Sequence, residues 1–169
     1  VGHPRRTAQQ MGKALGEFLR RACLHAAPLD DPKEVAWFLA SYAREGLFRI
    51  EQVGDLPALA AVRTALEQAL GMKFTGPKVD HFFRSTLVQT LFYGLFSAWV
   101  LWHKQGPSAA AQFDWRTAGW WLHVPFIRTL YEEAAKPSRL GALGLVKVLD
   151  WAAAVLNRVK RAAFFQKFQ

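Results

Sequence analysis

With 169 residues, 51% of them apolar and 14% aromatic, the chain is long enough to bury a core and too apolar to remain disordered. A formal charge of +9 and a pI near 10.1 exclude a net acidic surface. They favour nucleic acid, an acidic partner domain or an anionic surface as counterpart, against the plain alternative of a solvated face that keeps the protein dispersed. The single cysteine, Cys23, excludes an internal disulfide framework and suits a reducing cytoplasm.

The charge sits at both ends: residues 1–25 carry a net +4 and residues from Lys136 onward a net +6. The first segment is basic and amphipathic and has neither the apolar stretch nor the small-residue cleavage site of a signal peptide. Because the chain begins at Val1 rather than Met, a piece of a longer polypeptide is expected. Thr7 and Gln10 form a capping-box pattern, predicting a helix start there and an apolar face through Met11, Leu15, Phe18, Leu19 and Ala22, ended before Pro28. Asp31, Pro32 and Glu34 give a second start, with Val35, Phe38, Leu39 and Tyr42 as its buried face; Gly46 is a place for a bend or break before residues 47–52. Asp55 is a candidate cap for a helix over 56–70, which Gly71 closes.

Gly76 and Pro77 turn into the stretch that organises the rest, Lys78 to Lys104. Between Ser85 and Trp102 there is no charged side chain. Phe83, Leu87, Leu91, Leu95, Ala98 and Trp102 share one side, and Phe92, Phe96 and Trp99 another. Such a helix is a buried axis or a membrane span. Its length nearly reaches the roughly 20 apolar residues a span needs, but Ser85, Thr86, Gln89, Thr90 and Ser97 stand inside it. Thr86, Thr90, Tyr93 and Ser97 fall on one face, which offers either the lining of a cofactor pocket or side-chain hydrogen bonds to neighbouring helices. We expect the latter: the central helix of a bundle, with no membrane crossing.

Gln105, Gly106 and Pro107 end that helix. Asp114 is set to cap a short aromatic helix carrying Trp115, Trp120 and Trp121, and Pro125 opens another over 126–135. After Lys136 and Pro137, one helix is expected over 140–156 with Asn157 as its stop, then a basic helix over 158–168. No long stretch alternates with period two, so the fold class is all-α: a multi-helix bundle around the helix at 78–104, residues 1–169 forming one helical domain.

Chemistry is sparse. The five histidines, at 3, 25, 81, 103 and 123, lack ligand spacing, and Cys23 with His25 needs partners from elsewhere, so no metal site is expected. Glu132 and Glu133 are adjacent and diverge, which suits a solvated helix end better than an acid/base pair. Gly141 and Gly144 do not form a phosphate loop, having neither a preceding strand nor a following Lys-Ser/Thr; a packing or junction role is expected. The tryptophans at 115, 120 and 121 could stack bases, but helical spacing favours packing. The nucleic-acid candidates are basic: Arg5 and Arg6 at the front, and Arg139, Arg158, Lys160, Arg161 and Lys167 toward the end, the last four interleaved with Phe164 and Phe165. No catalytic residue and no cofactor are expected in this chain.

Three strings in order, FFRSTLVQTLFYGLFSAWVLW, FDWRTAGWWLHVPFIRTLYEEAA and LDWAAAVLNRVKRAAFFQKF, give the chain a recognisable character. Their most distinctive parts are QTLFYGLF (Gln89 to Phe96), PFIRTLYE (Pro125 to Glu132) and the closing AAFFQKF, and PRRTAQQ and DLPALAAVRTALEQAL extend the likeness toward the front. Together they resemble a helical segment of large bacterial adenine-specific DNA methyltransferases of the restriction-modification type. The resemblance implies a place between a nuclease-like domain and a methyltransferase domain, with DNA as partner and S-adenosylmethionine as the cofactor of the parent enzyme. Neither an Asn-Pro-Pro-Tyr motif nor a nuclease Asp…Glu-x-Lys array occurs here, so the resemblance hands this chain no catalytic residue. Where family members often carry an acidic cap before the last helix, this chain has Lys160. The implied role is a spacer or coupler; a free-standing helical DNA-binding or regulatory protein and a membrane-associated protein are the other readings.

Overall fold

In the computed structural model, which describes residues 4–23, 27–54, 57–75 and 78–167, proline stands first in α1 (Pro4–Cys23), α2 (Pro32–Gln52), α3 (Pro57–Leu70), α6 (Pro125–Ala134) and α7 (Pro137–Ala142). Its missing N–H loses no hydrogen bond in a first turn, and its fixed φ is already helical. The other elements are α4 (Val79–Lys104), a 3-10 turn (Trp115–Thr117) running into α5 (Ala118–Trp121), α8 (Val146–Asn157) and α9 (Arg161–Gln166). Among the described residues there is no strand, only an isolated bridge joining Leu29 to Val159. The protein is an all-α multi-helix bundle.

α4 is its axis. Phe83, Leu87, Leu91, Leu95, Ala98 and Trp102 are buried on one side and Phe92 and Trp99 on another, because α2 covers one flank and α5 and α6 cover the next. α2 also lies along α8, and α3 packs on α6 and α7. Side chains close the gaps that backbone leaves open. Arg84 of α4 donates to the carbonyls of Ile50 and Val53, capping the C-terminal end of α2 with a cation where the helix dipole favours one. Asn157 clamps the loop before the 3-10 turn, accepting from the Phe113 N–H at 2.7 Å and donating to its carbonyl at 2.9 Å. No helix of the described residues is long and apolar enough to cross a membrane.

Several expectations need correction. The first helix is already under way at Thr7, since Pro4 supplies the start and makes a capping box there redundant. α2 runs unbroken to Gln52: Gly46 is buried against Leu145, Val148 and Val88, so it serves close packing and not a bend. The helix expected over 140–156 is two helices, α7 and α8, parted at Gly144, whose φ of +67° no helix accepts. The last helix begins at Arg161 instead of 158, because Arg158 and Lys160 are pinned to Leu29 through backbone bonds of 3.1 and 2.7 Å. The line Thr86, Thr90, Tyr93, Ser97 does not tie α4 to its neighbours. It lies on the outward side, with Tyr93 72% exposed, and Gln89 beside it bonds back to Ser85 on the same helix. Asp31 and Asp114 do cap as expected, accepting from the N–H groups of Lys33 and Arg116, and Gly71 closes α3 with a φ of +63°. His3, His25, Asp55, Leu56, Gly76, Pro77 and Phe168 lie outside the described residues.

Candidate nucleic-acid interface

The basic C-terminal end is built on the aromatic end of α4. Trp99 is fully buried, stacked on Phe165 at 5.3 Å and edge-on to Phe164 at 5.4 Å. One turn later His103 lies flat against the other part of the same contact, 4.2 Å from the Phe165 ring. Period-four spacing of aromatics on α4 thus holds α9 in place, and α9 in turn positions the cations.

Those cations are not equivalent. Arg158 lies 5.2 Å over the Phe38 ring, half-buried, and burial works against its charge, lowering its pKa. Arg161 lies 5.0 Å over the Trp102 ring while its Nη2 donates to the carbonyls of Ser108 at 3.0 Å and Ala109 at 3.4 Å, fastening the turn that follows α4. Lys160 and Lys167 point into solvent. Arg139 sits on α7, where its Nη1 donates to the carboxylate of Glu133 at 2.8 Å and to the Glu133 carbonyl at 2.9 Å. Lys136 joins that pair, and the hydrogen bonds from Lys136 and Arg139 hold the Glu133 carboxyl below its ordinary pKa. Arg5 and Arg6 belong to α1, but their side chains lie outside the described part. The fold therefore brings Lys160 and Arg161 to one cavity, sets Arg158 in another beside Asp114 and Asp150, leaves Lys167 at the far end of α9, and ties Arg139 to an acidic partner of its own.

The first cavity, of about 550 Å³, opens between the last turn of α4, the turn at 106–109 and the start of α9, lined by His103, Lys160 and Arg161 among small residues. Sequence reasoning passed over His103, because a histidine without a spaced partner carries no signal until the chain folds. Burial, then the neighbouring Arg161, lowers its pKa from the ordinary 6.5.

A second surface is apolar. Met11, Leu15, Phe18 and Leu19 of α1 are 67%, 57%, 57% and 51% exposed, so the apolar face of this helix is turned outward. The reason lies in what holds α1. Glu17 accepts from Arg44 at 2.8 Å and from Ser41 at 3.2 Å, and Arg20 lies 4.3 Å over Trp37, so α1 rests on α2 by its polar side. Arg44 also lines a groove of about 670 Å³ between α2 and α4, floored by Leu39, Phe92, Phe96 and Phe164 and edged by Tyr93. The amphipathic pattern of α1 was readable; which way it faced was not.

The remaining candidates resolve into structure. Trp115 is buried with its Nε1 donating to Asp150 at 2.7 Å, whereas Trp120 is 71% exposed, so the tryptophans make no common platform. Glu132 pairs with Arg128 and Glu133 with Lys136 and Arg139, as solvated helix ends do. Among the described residues no group of three or more His, Cys, Asp or Glu is placed to hold a metal ion. No family model, curated protein or solved structure matches this chain.

Proposed function

We propose that this chain is a non-catalytic helical coupling domain of a restriction-modification adenine-specific DNA methyltransferase, acting in the cytoplasm. In that role it spaces a nuclease-like domain from the S-adenosylmethionine-dependent methyltransferase domain, and its basic C-terminal end rests on the DNA backbone. The sequence resemblance supplies the enzyme. The observation that carries the coupling role is the outward apolar face of α1, together with the apolar groove between α2 and α4 that Arg44, the partner of Glu17, helps to line. An apolar surface of that extent is ordinarily covered by protein, and a domain that sits between two others has such a surface to offer. Phosphate contact from Lys160 and Lys167 would position DNA without reading its sequence.

The test is hydrogen exchange on the polypeptide encoded by the uninterrupted reading frame around these residues, compared with the isolated chain. Amides of residues 11–22 should be protected in the long form and exchange faster in its Leu15→Glu, Phe18→Glu variant. Equal exchange in both forms, or a frame encoding neither a methyltransferase nor a nuclease, would defeat the reading. The basic end alone also favours a free-standing helical DNA-binding or regulatory protein, which instead requires binding that depends on base sequence.

A further inference from the structure

We propose that the cavity at the end of α4 is a phosphate-binding site formed by Lys160, Arg161 and His103. This deepens the backbone-contact part of the coupling reading and rests on it only for the molecule that brings the phosphate, a nucleic-acid backbone or a free anion. Three observations converge on the site. Among the described residues the lining holds three basic side chains and no carboxylate, whereas Arg139 has Glu133 as its counterion. Two nitrogens of these residues, Arg161 Nη1 and His103 Nδ1, are shut off from water and have no hydrogen-bond partner among the described residues. Buried polar nitrogens without partners are uncommon in folded proteins, and an ion or ordered solvent is a usual reason for them. Finally, the Arg161 guanidinium is already immobilised by Ser108, Ala109 and the Trp102 ring, so little side-chain freedom is left to lose on binding.

Phosphate oxygens match this set. A planar guanidinium held in one orientation and an ammonium on a flexible stem make charge-assisted hydrogen bonds to them, and an imidazole can add a third donor. Burial and Arg161 favour the uncharged His103 ring, and an anion beside it would oppose both effects. Neither buried nitrogen touches water, so an incoming oxygen reaches them only if their surroundings yield, and the turn at 106–109 both lines the cavity and accepts from Arg161. Binding should therefore move that turn as well as the ring.

The experiment is a two-dimensional NMR titration of the chain, with inorganic phosphate in one arm and a short DNA duplex at low salt in the other, repeated on Lys160→Glu. Lys160 is exposed and its side chain bonds to none of the described residues, whereas Arg161 fastens a turn and is left intact. We expect saturable shifts of the His103 ring and of the Gly106 and Ala109 amides in both arms, weakened roughly tenfold by Lys160→Glu, as the loss of one charge-assisted bond implies. Shifts with phosphate but not duplex support the site and defeat the DNA-contact reading alone. Duplex binding that leaves His103, Gly106 and Ala109 unmoved overturns the site and spares that reading. No response in either arm, or shifts unchanged by Lys160→Glu, also overturns the site.

Discussion

Two glycines in this chain are kept for opposite physical reasons, and substitution separates them. A Cβ on Gly94 would run into the Tyr131 ring, whose hydroxyl donates to the Trp115 carbonyl at 3.1 Å and so cannot easily move aside. Gly144 has open space around its Cα but a φ of +67°. Gly94→Ala should therefore cost roughly 1–3 kcal/mol by overpacking, and Gly144→Ala about 1 kcal/mol by backbone strain alone. Urea unfolding of both variants checks this; a neutral Gly94→Ala would mean that α6 is not seated on α4 as described. His103 supplies the residue-scale pH effect. Its folded pKa lies below the ordinary 6.5, through burial first and Arg161 second, so the unfolded chain binds the proton more readily. The contribution is absent well above 6.5 and becomes destabilising as pH falls through that value and the lower folded one. An imidazole midpoint above 6.5 in an NMR titration would contradict the burial that causes the shift.

At the scale of elements, the places where helices start were largely legible. Proline and aspartate act through their own backbone and nearest neighbours, and Asp31, Pro32, Asp114 and Pro125 did what their chemistry requires. Apart from the start at Thr7, where Pro4 had already opened the helix, the reading erred through contacts distant in sequence. Nothing local to residues 140–156 says that Leu143 must reach the core while Gly144 interrupts the helix, and nothing local to Arg158 announces Leu29. The direction that α1 faces shows the same limit. Its periodicity marks an apolar face, yet the Glu17 and Arg20 contacts to α2 turn that face to solvent. Within this chain, Leu15→Glu with Phe18→Glu should leave the midpoint of thermal unfolding nearly unchanged, since surface substitutions usually stay within about 0.5 kcal/mol. A large drop would place those side chains in a core they do not occupy here.

For the whole molecule, charge governs what can be measured. If the C-terminal cations meet DNA phosphates, the logarithm of the affinity should fall with the logarithm of salt concentration with a slope of roughly −2 to −4, and Lys160→Ala should reduce that slope by about 1. A slope near zero in a filter-binding or anisotropy series would remove the electrostatic contact. The all-α class and the buried axis from Val79 to Lys104 could be read from residue order, because helical periodicity and an uncharged apolar run are properties of neighbours along the chain. So could the basic ends, which are a matter of counting. Which basic residues share a corner, that His103 joins them, and that α1 and the groove leave apolar surface uncovered depended on packing between segments far apart in sequence. Such contacts are chosen by the fit of whole surfaces, and no stretch of neighbours along the chain contains that information.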